Sequence, residues 1–116
     1  MNTKERGDQA ERRALEFFIE RDWKLLTQQY RCRQGEIDLI LQDADTLVFV
    51  EVRQRSRISF GGAAESITAT KIRRLWLAAQ HYCQSISWDG PCRFDVLTID
   101  ADDQLHWLPD AFEACA

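Results

Sequence analysis

The sequence predicts an α/β domain in which a mixed central sheet of about five strands is flanked by two main helices. Two amphipathic segments with helical spacing and several short runs of branched and aromatic residues follow the order helix, three strands, helix, strand, strand. This order is typical of an α/β sandwich. Because 45% of the 116 residues are hydrophobic and 29% are charged, we expect one globular domain over residues 1–116.

The first helix is expected to begin after Asp8, a favourable N-cap, and to run to about Arg21. A first strand is expected over residues 23–31. Glu11 lies on the border of the helix's apolar stripe and could point toward the strands, although a lone glutamate on such a helix is more often solvated. The stripe consists of Ala10, Ala14, Phe17 and Phe18.

A β-hairpin is expected over Gly35–Arg53, because two runs rich in branched residues flank a polar stretch. If the turn centres on Ala44 and Asp45, Asp38 lies opposite Glu51. A three-residue loop would instead move one strand's side chains to the other face. In the favoured register one face carries Glu36, Asp38, Ile40, Phe49, Glu51 and Arg53. The other face, expected to be the core, carries Ile37, Leu39, Leu41, Val48, Val50 and Val52.

The facing carboxylates of Asp38 and Glu51 suggest a metal site. Directly opposed residues have Cβ atoms about 5 Å apart, where like charges repel each other. A hard cation such as Mg²⁺, which takes one or two carboxylates, would offset that repulsion. The alternative is a carboxylate paired with Arg53 or Arg55 on a solvated surface. The apolar strands around both acids favour the metal site, since burial of an unpaired charge is unfavourable.

The second half of the chain is expected to contain a loop, a helix and two strands. Residues 55–64 include Gly61-Gly62 and read as a mobile loop beside the site. Thr68 is a good N-cap for a helix to about Ser85, with Lys71 and Arg74 flanking its apolar stripe. The stripe consists of Ile72, Leu75, Trp76, Ala79 and Cys83, and the strands are expected over residues 93–99 and 105–108.

The charge distribution is more informative than the net charge of −4. Residues 52–74 contain six basic side chains and one acid, a local net charge of +5, whereas the chain from Asp95 onward contains six acids and no lysine or arginine. A basic stretch next to a metal site suits a polyanionic substrate. A solvated charged face is the alternative.

The cysteines and the hydropathy pattern restrict the class of protein. The four cysteines, at positions 32, 83, 92 and 115, show neither Cys-x-x-Cys spacing nor nearby histidine ligands, so we expect reduced thiols rather than a zinc site or a disulfide framework. No apolar run reaches the length of a signal-peptide core or a membrane span. We therefore expect a cytoplasmic protein without membrane contact.

Several segments stand out together. They are Ala10-Glu11 on the first helix, Gly35-Glu36-Ile37-Asp38-Leu39-Ile40, Val48-Phe49-Val50-Glu51-Val52-Arg53-Gln54-Arg55, Gly61-Gly62-Ala63, Lys71 and Arg93-Phe94-Asp95-Val96. In combination they resemble the YraN family of bacterial proteins over nearly the whole chain. That family is similar to the restriction-endonuclease-like PD-(D/E)xK superfamily, and especially to archaeal Holliday junction resolvases.

The resemblance implies a restriction-endonuclease-like sandwich and a nuclease that acts on nucleic acid, with DNA the expected form. It implies Mg²⁺ as the cofactor, with Mn²⁺ able to substitute. Carried over by position, it makes Glu11 the helix glutamate, Asp38 a metal-binding aspartate and Glu51 the acidic member of E-x-K. Glu36, within the Gly-Glu-Ile-Asp signature, would be an auxiliary acid.

The lysine position of the E-x-K motif falls on Arg53, where this sequence departs from the nuclease pattern. Arginine keeps its proton at physiological pH, so Arg53 would clamp the scissile phosphate or stabilise transition-state charge rather than act as a base. The metal together with Glu51 would then have to activate the water. The residues expected to contact phosphates are Arg53, Arg55, Arg57, Lys71 and Arg74.

Two alternatives remain open beside the nuclease. A non-catalytic nucleic-acid-binding or adaptor protein would keep the fold without turnover, and Arg53 together with the acidic net charge favours it. A protein-interaction module would use the acidic C-terminal segment. Resolvase-like relatives act as dimers, which suits a two-fold symmetric junction, so the resemblance also implies a homodimer.

Overall fold

A computed structural model describes residues 3–54 and 67–112 of the chain, with side chains described from Gly7 onward. Two helices and five strands occur in this part, in the predicted order. The helices are α1 (Thr3–Ile19) and α2 (Ala69–Ser85). The strands are β1 (Lys24–Cys32), β2 (Gly35–Asp43), β3 (Thr46–Gln54), β4 (Cys92–Ile99) and β5 (Leu105–Leu108).

The five strands form one mixed sheet in the order β1-β2-β3-β4-β5. Neighbouring strands are antiparallel except β3 and β4, which run parallel. A parallel pair needs a crossover connection, and α2 lies in the connection from β3 to β4. The predicted α/β sandwich with a mixed sheet is confirmed.

Both faces of the sheet are buried, one under each helix. The expectation of a single core face on the hairpin is therefore wrong, because the crossover places α2 over Ile40 and Phe49, which are fully buried. The cluster on the α1 side consists of Ala14, Phe18, Trp23, Leu39, Leu41, Val48, Val50 and Leu97. The cluster on the α2 side consists of Ile37, Ile40, Leu47, Phe49, Leu75, Ala78, Ala79, Tyr82 and Phe94.

The two helix starts differ in how well they were predicted. The hydroxyl of Thr68 accepts the backbone N–H of Lys71 at 3.1 Å, which confirms the cap of α2. Helix α1 already begins at Thr3, so Asp8 lies inside it and the predicted cap is wrong. The preceding Lys-Glu-Arg sequence consists of good helix formers, which explains the earlier start.

The buried stripe of α2 is rotated slightly from the predicted one. Leu75 and Ala79 are buried as predicted. Ala78 and Tyr82 complete the stripe, whereas the predicted members Ile72, Trp76 and Cys83 are only partly buried. The rotation leaves Lys71 partly exposed at the edge of α2.

The hairpin has the predicted register. Pairs run from Asp43 opposite Thr46 to Leu39 opposite Val50, around a turn of Ala44 and Asp45 in which Ala44 has a φ of 54°. Continuing the same count places Asp38 opposite Glu51, at the point where regular pairing ends.

The backbone is irregular around Asp38. Ile37 packs under α2 and Leu39 under α1, although alternate residues of a regular strand share a face. The prediction that these two residues lie on one face is therefore wrong. On β1, Gln28 pairs with Leu39 and Tyr30 pairs with Ile37. Gln29 lies between these two residues and has a φ of 50°. The irregular part of β2 therefore lies opposite a residue of β1 whose backbone is in the left-handed conformation.

Some predictions fall on residues that the structure does not describe. The predicted loop of residues 55–64, with Gly61-Gly62, lies outside the described ranges, as do Arg55, Arg57 and Cys115. Within those ranges Cys32, Cys83 and Cys92 are free cysteines. No described helix is both long enough and apolar enough to cross a membrane.

Candidate active site

Asp38 lies at the end of the regular β2–β3 pairing, where it is partly buried. Its Oδ2 accepts the backbone N–H of Val52 at 2.8 Å. Burial and then repulsion from Glu51 raise the pKa of Asp38 to about 7, although the Val52 hydrogen bond acts in the opposite direction. The carboxylate is therefore held in a place that disfavours its charge.

Glu51 lies on the central strand β3, beside Val96 of the parallel neighbour β4. The residue is only 7% exposed. Burial raises the pKa of Glu51, while the positive charges of Lys71 and Arg53 lower it. A carboxyl group so deep in the sheet needs a cationic partner.

Lys71 supplies that partner from the first turn of α2. Its Nζ lies 3.8 Å from Oε1 of Glu51, and its side chain is 42% exposed. Sequence reasoning gave the lysine position of the nuclease motif to Arg53, which is partly buried two residues after Glu51. The structure therefore brings two cations to Glu51, and the one in direct contact is a lysine from the helix.

Glu11 faces the same site from α1. It receives a hydrogen bond of 2.7 Å from Nε2 of Gln29. Burial raises the pKa of Glu11. Glu11, Gln29 and Asp38 line one cavity of about 270 Å³, bounded also by Val52. The expectation that Glu11 could point toward the strands is confirmed.

Gln29 is a site residue that sequence reasoning missed. Its type carries no metal-binding or catalytic signal. The β1–β2 register places Gln29 between the partners of Leu39 and Ile37, and therefore opposite Asp38. Only this pairing could have identified Gln29 from the sequence.

Glu36 is exposed and lies 3.3 Å, through Oε1, from Nε of Arg31. It lines the Asp38 cavity and also a neighbouring cavity with Lys71 and Arg74. Glu36 thus lies at the boundary of the two cavities. Arg31, which sequence reasoning also missed, joins Arg74 on the basic side of the second one.

The acidic side chains form a donor set that suits a hard divalent cation. The charges of Glu51, Glu11 and Glu36 all raise the pKa of Asp38, so negative charge accumulates at this point. In the part of the chain that the structure describes, no three such side chains form a preformed metal-binding group. Two carboxylates are nevertheless enough for Mg²⁺, which fills its other positions with water or phosphate oxygens.

A further buried carboxylate, Asp95, has a structural role. It is fully buried and accepts two hydrogen bonds from Arg93, at 3.0 and 3.2 Å. The indole N–H of Trp107 and the backbone N–H of Asp110 donate to it at 2.9 Å each. The two Arg93 bonds lie within β4, whereas the bonds from Trp107 and Asp110 join β4 to β5 and to the residues that follow.

Comparison with known proteins places the chain in a family. The family model described as "Uncharacterised protein family UPF0102" matches residues 10–99. The chain is 48% identical to a UPF0102 protein of Nitrosomonas eutropha over 112 residues, which cover 97% of each protein. It is 52% identical to a UPF0102 protein of Cupriavidus taiwanensis, with coverage of 96% of this chain and 85% of the relative. The chain therefore belongs to the UPF0102 family, the YraN family that its motifs resemble.

Proposed function

We propose that the protein is a Mg²⁺-dependent nuclease of the restriction-endonuclease-like type, with DNA as its expected substrate. The observation that supports this most is the arrangement of two carboxylates, Asp38 and Glu51, with the ammonium group of Lys71 at the irregular end of the hairpin. Paired acids can hold the metal ion for a metal-assisted phosphodiester hydrolysis, and a nearby lysine can stabilise the charge that develops on the phosphate.

Asp38 and Glu51 would hold the Mg²⁺, or Mn²⁺ in its place. Glu11 would act as an outer ligand, fixed by its hydrogen bond from Gln29. Glu36 would be auxiliary at the cavity boundary. When bound, the cation would polarise the phosphate and offset the charge that develops on it.

The two cations near Glu51 would divide the work on the phosphate. The ammonium group of Lys71 is compact, has three donors and is partly exposed, so it can turn from Glu51 to a phosphate oxygen. The guanidinium of Arg53 can bind two phosphate oxygens at once. Both would stabilise the negative charge of the transition state. Lys71 would thereby take the role that the E-x-K lysine has elsewhere in the superfamily.

Proton acceptance would fall to a carboxylate, because Arg53 keeps its proton. Glu51 is the better candidate, because it lies beside the partly exposed Lys71, whereas Oδ2 of Asp38 already accepts the backbone N–H of Val52.

A second candidate function is non-catalytic binding of nucleic acid. The observation that favours it is the absence of a preformed three-ligand group among the described residues, together with the direct contact of Glu51 with Lys71. In this case the basic side chains would bind phosphates without hydrolysis. Such binding would persist without divalent metal and would weaken with added salt.

One experiment separates the two candidates. Purified protein is incubated with branched, nicked and single-stranded DNA in Mg²⁺ or Mn²⁺, with EDTA as the control. Cleavage that requires the metal supports the nuclease. Salt-sensitive binding without cleavage in either metal contradicts the nuclease and supports the binding protein.

A further inference from the structure

A second cavity, of about 340 Å³, adjoins the candidate active site. It lies between the turn that connects β1 to β2 and the first turns of α2. Three basic side chains and one acidic side chain line it, namely Arg31, Lys71, Arg74 and Glu36. The volume falls within the range of small-molecule sites and is enough for part of one nucleotide.

Gly35 allows the turn between β1 and β2 to approach α2 at one wall of the cavity. A Cβ atom at Gly35 would lie 3.0 Å from the backbone oxygen of Arg74 and 3.3 Å from its Cβ. A side chain at this position would push α2 and the turn apart by a few tenths of an ångström, so glycine favours the close approach. The close approach keeps Lys71 and Arg74, one helical turn apart, beside the start of β2.

The cavity has an excess of positive charge. Arg31 pairs with Glu36. Lys71 pairs with Glu51, a residue that does not line this cavity. Arg74 is exposed and makes no ion pair within residues 7–54 and 67–112. Its guanidinium is available for an anion that enters the cavity, and phosphate fits its planar fork.

We propose that this cavity binds the phosphate group of the nucleotide next to the one processed at Asp38 and Glu51. The proposal rests on the proposed nuclease function for the identity of the ligand. Glu36 borders both cavities, so the two cavities adjoin and a strand with one phosphate at the acidic site can place a neighbouring phosphate at the basic one. The phosphate could be an internal diester or a terminal monoester, which share this chemistry.

The test measures binding to the intact protein in EDTA, where cleavage cannot contribute. Amide resonances of Cys32, Gly35 and Leu75, which line the cavity, are followed by NMR. The ligands are thymidine 5′-monophosphate, the dinucleotide TpT without a terminal phosphate, and thymidine. We expect saturable shifts with at least one phosphate ligand and none with thymidine. The tighter of the two phosphate ligands identifies a monoester or a diester site.

Arg74→Ala is expected to weaken phosphate binding by about tenfold, the loss of one charged hydrogen-bonding partner. Arg73→Ala is the matched control, because Arg73 is an exposed neighbour on the same helix that does not line the cavity. Less than about a twofold change is expected there, since Arg73 does not line the cavity and its exposed charge is screened by solvent and salt. Equal weakening by both substitutions, or shifts with thymidine alone, would overturn the proposal.

The two proposals can fail separately. Mg²⁺-dependent cleavage without phosphate binding in the cavity overturns the cavity proposal and leaves the nuclease intact. Saturable phosphate binding that Arg74→Ala weakens, without any cleavage, supports the cavity and overturns the nuclease.

Discussion

The carboxylate of Asp38 accepts the backbone N–H of Val52 at 2.8 Å, across the point where β2 and β3 stop pairing regularly. In this bond a side-chain carboxylate accepts a backbone N–H of the neighbouring strand. The bond holds Asp38 next to Glu51 in a partly buried position, where the charge of Glu51 disfavours ionisation of Asp38. The irregular strand end is thus the feature that brings the two acids together.

The pKa of Asp38 predicts a pH dependence of stability in the metal-free protein. The group has a pKa of about 7 in the folded state and an ordinary value of 3.8. The folded protein therefore binds a proton between these values that the unfolded chain releases, and stability falls as pH rises toward 7. A tenfold difference in proton affinity between the two states corresponds to about 1.4 kcal/mol of stability.

Asp38→Asn should remove that contribution. Urea unfolding in EDTA at pH 5 and pH 8 should show a wild-type loss at least about 1 kcal/mol larger than the loss in the variant. Subtracting the stability loss of the variant from that of the wild type removes the contribution of the other titrating groups. An identical pH dependence in the two proteins would contradict the raised pKa.

Lys71 should stabilise the charged form of Glu51. Lys71→Met removes an ammonium group 3.8 Å from a carboxylate whose side chain is 9% exposed. We expect a loss of about 1 kcal/mol at pH 8, because the pair is partly solvated, and a smaller loss at pH 5. Lys24→Met, at an exposed lysine on β1, is the control. Equal losses at both pH values would show that the pair does not contribute.

The left-handed conformation of Gln29 should be a source of strain. Gln29 has a φ of 50°. This backbone conformation is about 1 kcal/mol less favourable for a residue with a side chain than for glycine. Gln29→Gly should therefore be more stable than Gln29→Ala by about that amount, since both lose the hydrogen bond to Glu11. Both should lower cleavage alike if Gln29 acts by positioning Glu11. Thermal unfolding that places the alanine variant at or above the glycine variant would contradict the strain.

Asp95 should be essential for stability and not for chemistry. Asp95→Ala leaves four donors without their acceptor, among them the partly buried guanidinium of Arg93. The expected loss is about 3–5 kcal/mol, the usual effect of breaking a buried charge network. Asp89→Ala, at an exposed position, should change stability by less than about 0.5 kcal/mol. Unfolding followed by tryptophan fluorescence measures both, and a loss below about 1 kcal/mol in Asp95→Ala would refute the structural role.

Local patterns predicted the elements and the hairpin register. The turn at Ala44 and Asp45 and the alternation of branched residues placed Asp38 opposite Glu51, and Thr68 marked the start of α2. These features depend on residues close in sequence, so periodicity and capping preferences are enough to find them.

Contacts between distant elements could not be found in the same way. The approach of Lys71 to Glu51 depends on how α2 docks on the sheet, which no short pattern encodes. The packing of Ile37 under α2 depends on the irregular backbone opposite Gln29. The bonds that Trp107 and Asp110 donate to Asp95 likewise join residues that only the assembled sheet brings together.

In the proposed function, Asp38 is required for metal-dependent hydrolysis of nucleic acid. The most direct measurement of this requirement is the rate of DNA cleavage in Mg²⁺ by wild type, Asp38→Asn and Asp45→Asn. Asp45 lies in the exposed hairpin turn and is the matched control. We expect Asp38→Asn to lower the rate at least ~100-fold, because a metal ligand is lost, and Asp45→Asn to cleave like wild type. Cleavage by Asp38→Asn at the wild-type rate would contradict this requirement.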